Sequence, residues 1–366
     1  YGVGNTLHGG HDSVSRPVAW LWFNALYAVA DSSPGRLLVV VTILNAAVAV
    51  LLLMVFARIL PRRLAVAVAA VWVFLPTHTA LTVWGAITQA LLCLVFLLAG
   101  TAFLQRGRWL PAALLLVAAV FSYQTAIPLV FLLAAFVPAQ PALAVTDRIK
   151  VLAAVGAATL WSALHPTYPP EYEVPDLAWL WRAHFGTGIF VSDSVPVGLR
   201  TGLAVAVLAG VVAAAVRWVA GHRGWHEGPS LVLSGVVVWA SGLVVLAALP
   251  IWIGAPEYGI PDRVFGLSSV GSAMVLVGLG AMLWRLWRPS AVAAAAVLCF
   301  AALSGQYVAL HSWSDAVVDA EALLDALADS PDPPNGTNYA VGPGYPTRNN
   351  VVGLDGDAVY FAHKLR

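Results

Sequence analysis

The sequence predicts an all-α polytopic membrane protein: a bundle of about ten transmembrane or half-spanning helices, with outer juxtamembrane helices and a small outer C-terminal tail. Three observations carry that prediction. First, 60% of the residues are hydrophobic and 10% are charged, with a mean hydropathy of +0.82, which excludes an ordinary soluble domain. Second, apolar runs recur along the chain, separated by short loops. Third, those loops alternate in charge. With the loop after residue 57 taken as cytoplasmic, the inner side collects Arg58, Arg62, Arg63, Arg106, Arg108, Arg148, Lys150, Arg217, Arg223, Arg285 and Arg288. It holds two acids, Asp147 and Glu227, which leaves 16 of the 18 for the other side (18 − 2 = 16). This positive-inside bias sets the orientation and puts the C-terminus outside.

The chain opens on Tyr1 without a methionine, signal or apolar start, which predicts a fragment lacking at least one N-terminal span. Residues 1–36 read as an outer first loop. Within it, PVAWLWFNALYAVA (17–30) is a helix opened by proline, too short to span and rich in Trp and Tyr, suited to the outer interface. A first part of the bundle follows over residues 37–163. Residues 37–56 and 86–104 have the length a bilayer core requires. The stretches 64–75, 110–121, 126–137 and 151–163 are short, since about twelve residues rise only about 18 Å. Short pieces persist in a membrane when neighbours shield their ends or those ends line a wet cavity.

Residues 164–199 form a long outer loop, held extended at its start by Pro166, Pro169, Pro170 and Pro175, with an amphipathic helix over 176–185. A second part of the bundle, residues 200–310, contains spans at 202–219, 231–250, 267–284 and 291–310. Residues 311–366 are an outer tail, with an acidic helix over 315–328 and then two short strands. Cys93 and Cys299 both fall within apolar runs and belong to no disulfide framework or metal cluster. The 17 Arg against 2 Lys, with abundant Ala and Val, fit a bacterial cell membrane.

Four polar clusters fall at outer helix ends. In HGGHDSVSRP (8–17), His8, His11 and Asp12 are compatible with a divalent cation, and equally with a plain glycine-rich loop in which Asp12 pairs with Arg16. In LPTHTALTVWG (75–85), His78 suits a substrate hydroxyl or phosphate, or an ordinary interfacial hydrogen bond. SYQTAIP (122–128), with Gln124 at its centre, breaks two short helices and is either a pocket floor or a hairpin turn. In APEYGIPDRVFGLSS (255–269), Glu257, Tyr258, Asp262 and Arg263 precede a full-length span; the arginine fork fits a phosphate or a lipid headgroup. No Walker loop, dinucleotide fingerprint, HExxH or CxxC is present. Solute transport is disfavoured, because ionisable residues are nearly absent from the middle of the spans.

Together, these clusters resemble the GT-C membrane glycosyltransferases, in particular the protein O-mannosyltransferase-like and tetratricopeptide-linked O-mannosyltransferase groups. SRPVAWLWFNALYAVADSSPGRLLVVVTILNAAVAVLLLMVFARIL is similar to their "RPL…F…Y…G…N…LL…L" block. WVFLPTHTALTVWGAITQALLCLVFLLA, FSYQTAIPLVFLL, PDRVFGLSSVGSAMVL and HSWSDAVVDAEALLDAL follow in the family's order. The resemblance covers most of residues 16–328 and implies a GT-C-like bundle.

It further implies transfer of a sugar from a polyprenyl-phosphate carrier to a glycan or protein acceptor on the outer face, with the bilayer as solvent and no nucleic acid. Arg263 matches the family's arginine and is the implied phosphate contact. Arg16, His78, Gln124 and Tyr258 are implied to shape the same pocket, with no cofactor beyond a divalent cation. The family's acidic residue belongs upstream of Tyr1, and Asp12 is the acid that stands in for it here. Where relatives carry Lys-Glu this chain has Tyr123-Gln124, and where they carry Tyr after the arginine it has Phe265. Those departures keep open the alternative of a non-catalytic GT-C-like assembly or lipid-glycan transport protein.

Overall fold

The computed structural model describes residues 14, 16–30, 34–75, 81, 88–139, 143–165, 227–248, 266–328, 347–348 and 351–352. These residues are helical apart from a two-residue antiparallel pairing of β1 (Thr347–Arg348) with β2 (Val351–Val352). The expected polar loop ahead of residue 14, the helix over 176–185 and the span over 202–219 lie outside the described residues.

Helix α1 (Pro17–Ala30) has the predicted bounds, opened by a proline whose missing N–H costs nothing at a helix start. Then come α2 (Pro34–Phe56), α3 (Arg62–Phe74) and α4 (Thr88–Leu104). Helix α3 stops at Leu75, which turns extended because a proline follows it in the chain. Helix α5 (Trp109–Ser122) is followed by extended Tyr123, a 3-10 turn over Gln124–Ala126, and α6 (Ile127–Phe136). The remaining helices are α7 (Val145–Leu164), α8 (Glu227–Ala248), α9 (Gly266–Leu286) and α10 (Arg288–Ala328).

Three helix bounds differ from the hydropathy reading. Helix α7 begins at Val145, so its 20 residues rise about 30 Å rather than forming a half-span. Its first turns carry Asp147, Arg148 and Lys150, whose charge hid them from an apolar count. Helix α8 likewise starts earlier, at Glu227. Helix α10 runs 41 residues, joining the expected last span to the acidic helix without a break. Residues 311–314 contain neither Gly nor Pro, so nothing local ends the helix there.

Among the described residues, three helical segments are long and apolar enough to cross a membrane: Gly35–Phe56, Gly266–Leu286 and Arg288–Tyr307. Their surfaces agree. Leu38, Val39, Ile43 and Val50 on α2, and Val297 and Phe300 on α10, are all more than half exposed. Apolar side chains around a helix circumference are costly in water and suit a membrane protein.

The tightest pairing is α8 against α9, antiparallel. Gly228 and Gly235 on α8 meet Gly278 and Gly271 on α9, each pair about two turns apart. A Cβ on Gly235 would stand 2.8 Å from the Gly271 carbonyl oxygen, and one on Gly278 2.9 Å from that of Gly228. Small residues let the backbones approach closely, and dispersion over the seam replaces the hydrophobic drive that lipid removes. Around this pair, α9 packs on α3 and α10, α4 on α5 and α2, and α5 on α7.

Among the described residues, the basic turns are gathered at one end of the bundle. Gln105, buried, donates from Nε2 to the Val55 carbonyl at 3.1 Å and pins the α4–α5 turn beside the end of α2. Arg148 donates to the carbonyls of Ala134, Ala135 and Val137 at 3.1, 3.0 and 2.7 Å, closing the orphan C-terminus of short α6. Lys150 lies 4.6 Å over the Trp109 ring at the start of α5. Arg285 at the end of α9 faces Glu227 at the start of α8, 3.7 Å apart. The described basic turns that the sequence assigns to one side therefore share one end of the fold; Arg217 and Arg223 lie outside the described residues.

The glycine seam is directly testable. Gly271→Ala places a methyl into the backbone of Trp239 and is expected to destabilise the detergent-solubilised protein by about 1–3 kcal/mol. Gly280→Ala, which meets nothing within 4 Å, should leave the apparent Tm unchanged or slightly raised.

Candidate functional site

The opposite end of the bundle is built from buried polar contacts. At the end of α3, fully buried Trp72 donates its indole N–H to Ser269 Oγ at 2.9 Å, and that hydroxyl donates onward to the Gly266 carbonyl at 2.7 Å. Ser268, Ser269 and Ser272 are all buried in the first two turns of α9. Gln306 on α10 donates from Nε2 to the Leu75 carbonyl at 2.9 Å, which joins α10 to the last turn of α3. Asn45 on α2 donates to the Leu81 carbonyl at 3.4 Å and to its own Val41 carbonyl at 3.0 Å. Leu81 also occupies the space that a Cβ on Gly266 would fill.

A second group joins α1 to the same end. Trp22 donates its indole N–H to Thr88 Oγ1 at the start of α4, 2.9 Å away. Trp161 near the end of α7 donates to the Val14 carbonyl at 2.8 Å, two residues before Arg16. Arg16 is the one charged side chain buried among the described residues; it is 9% exposed, and it is engaged rather than free. A guanidinium withdrawn from water requires such engagement. The α5–α6 break also stands at this end, where Cys93 Sγ on α4 lies 3.8 Å from the Tyr123 carbonyl.

Among the described residues five buried side-chain oxygens have no hydrogen-bond partner: Gln89 Oε1, Thr125 Oγ1 and Ser268 Oγ at this end, Thr159 Oγ1 in α7, and Gln105 Oε1 at the other end. Orphaned buried polar atoms are rare in folded proteins, and each of these oxygens can still accept a hydrogen bond.

Of the sequence-predicted positions, Arg16 and Gln124 are described, and both stand at this end, Gln124 half-buried at the head of the 3-10 turn. Asp12, His78, Tyr258 and Arg263 lie outside the described residues, as do His8 and His11 of the proposed cation site. Among the described residues, no three His, Cys, Asp or Glu side chains gather as metal ligands. The sequence reading missed the Trp72–Ser269 and Trp22–Thr88 pairs. A tryptophan in an apolar helix reads as core or interface, so its indole N–H gives no signal until the helices are packed. Ser268 and Ser269 did fall within a singled-out cluster, but Arg263 drew the attention there.

A double-mutant cycle tests the Trp72–Ser269 link. Ser269→Ala removes the hydroxyl that accepts the Trp72 indole N–H, so it should cost about 1–3 kcal/mol in thermal unfolding. Its coupling to Trp72→Phe should be about 0.5–1.5 kcal/mol, whereas zero coupling would mean that the bond contributes nothing.

Comparison of the chain with protein-family models, with curated proteins and with solved structures finds no match.

Proposed function

We propose that this protein is a polytopic membrane glycosyltransferase of GT-C type that moves a sugar from a polyprenyl-phosphate carrier to a glycan or protein acceptor. The reaction takes place at the bundle end opposite the arginine turns, on the outer face of a bacterial membrane. The observation that carries this reading is the buried polar end, at which Arg16, the Gln124 break, the end of α3 and the start of α9 all stand. The Leu81–Gly266 contact at the same end adds support.

In the proposed reaction the acceptor hydroxyl oxygen attacks the anomeric carbon, and the bond from that carbon to the carrier phosphate oxygen breaks. The electron pair departs with the phosphate, which cationic groups stabilise as charge develops on it. Arg263 is the proposed phosphate contact, with Arg16, His78, Gln124 and Tyr258 shaping the pocket. The hydroxyl proton passes to a carboxylate acting as general base. Asp12 is the acid proposed for that role within this chain, with a divalent cation, if one is bound, held by His8, His11 and Asp12.

The test is transfer of label from radioactive polyprenyl-phosphomannose by the purified full-length protein in lipid. Transfer is expected, with a loss of about 100-fold or more on Arg263→Ala. Unchanged transfer by that variant removes the arginine from the mechanism. Carrier binding without transfer by the wild type replaces the enzyme with a non-catalytic lipid-glycan binder, the reading that Tyr123-Gln124 and Phe265 favour.

A further inference from the structure

We infer that the paired α2–α3 and α4–α5 turns form a binding platform for the phosphate headgroup of an anionic phospholipid, independent of any transfer reaction. Arg58, Arg62 and Arg63 belong to the first turn and Arg106 and Arg108 to the second, with no Asp or Glu in either stretch. The turns are held side by side by the buried Gln105 bond to the Val55 carbonyl. Gly107, at φ 69°, makes the second turn tight enough to carry arginines on both sides of it.

None of the five arginines has an acidic partner among the described residues. The two nearby acids are occupied, Asp147 by Lys150 at 2.8 Å and Glu227 by Arg285 at 3.7 Å. Arg58, Arg62, Arg63 and Arg108 are exposed; Arg106 is half-buried, with its guanidinium carbon 5.9 Å over the Phe103 ring. Arg62 and Arg63 also sit in the first turn of α3, where positive charge opposes the helix dipole. Five like charges in two adjacent turns repel one another, with only the Phe103 ring beneath Arg106 to offset them, and an anion between them lowers that cost.

The exposed apolar side chains beside the arginines identify the anion's source. Met54 precedes Arg58 by about one turn, Ile59 adjoins it, and Val66 follows Arg62 by about one turn. Leu110 and Leu114 continue from Arg108 along α5 and are 53% and 64% exposed. A cationic rim with an apolar skirt is complementary to a molecule with an anionic head and acyl chains. A soluble phosphate or a nucleic acid satisfies the rim and leaves the skirt bare. The basic α9–α10 turn is different: it carries two arginines against the platform's five, and one of them, Arg285, faces Glu227.

The test is native mass spectrometry of the full chain released from detergent with equal amounts of phosphatidylglycerol and phosphatidylcholine of identical acyl chains. Wild type should retain phosphatidylglycerol in excess. Arg58→Gln/Arg62→Gln/Arg63→Gln should reduce that excess by about tenfold or more, and Arg106→Gln/Arg108→Gln, made separately, should also reduce it. The second variant decides the matter if the first fails to fold. Arg285→Gln/Arg288→Gln should keep the excess. Equal retention of the two lipids by wild type, or full preference in a folded variant of either turn, would overturn the platform. So would loss of preference in the Arg285/Arg288 variant, or displacement of the lipid by an equal concentration of glycerol 1-phosphate.

Discussion

An apolar helix bundle can place charge only at its ends, and the rest of this fold follows from that constraint. Backbone polar groups within hydrocarbon must be paired inside the protein, so the described chain is helical through its apolar runs. Where a helix is too short to carry its own ends clear, a side chain completes it. Arg148 does this for α6, spending one guanidinium on three carbonyls that would otherwise be buried and open. The glycine seam of α8 and α9 answers the same constraint, because close backbone contact supplies the cohesion that apolar burial cannot supply in lipid.

The two ends use polarity differently. At one, arginines stand outward, largely unpaired, beside exposed aliphatic side chains. At the other, polar groups turn inward: indole N–H groups bond to serine and threonine hydroxyls, glutamine and asparagine reach carbonyls, and one arginine is withdrawn from water. An outward rim suits attachment to a charged surface. Inward polar groups with orphaned oxygens suit recognition of a polar ligand. On the proposed reading the first end anchors the bundle at the cytoplasmic surface, and the second receives the carrier and acceptor on the other side.

Much of this was legible in the sequence because lipid solvation makes hydropathy nearly sufficient for locating helices. The apolar runs gave α2, α4, α9 and the first half of α10, and the SYQTAIP polar break stands where α5 gives way to α6. Hydropathy failed where helix and apolarity part company. The charged start of α7 and the polar stretch 311–314 of α10 are helical although an apolar count passes over them. The site was less legible than the fold. Arg16 and Gln124 stand at the polar end, the other implied site residues lie outside the described residues, and the indole–hydroxyl pairs depend on helix packing that no single segment encodes.

Sidedness is the claim on which the functional account stands. In the full-length protein, with Cys93 and Cys299 replaced by alanine, a cysteine at exposed Gly35 or at exposed Ala57 reports the two ends of α2. A membrane-impermeant maleimide applied to intact cells should label position 35 and reach position 57 only after the membrane is opened. Labelling of position 57 in intact cells, with position 35 protected, would reverse the orientation and place the polar end in the cytoplasm, where no polyprenyl-linked sugar exposed on the outer face could reach it.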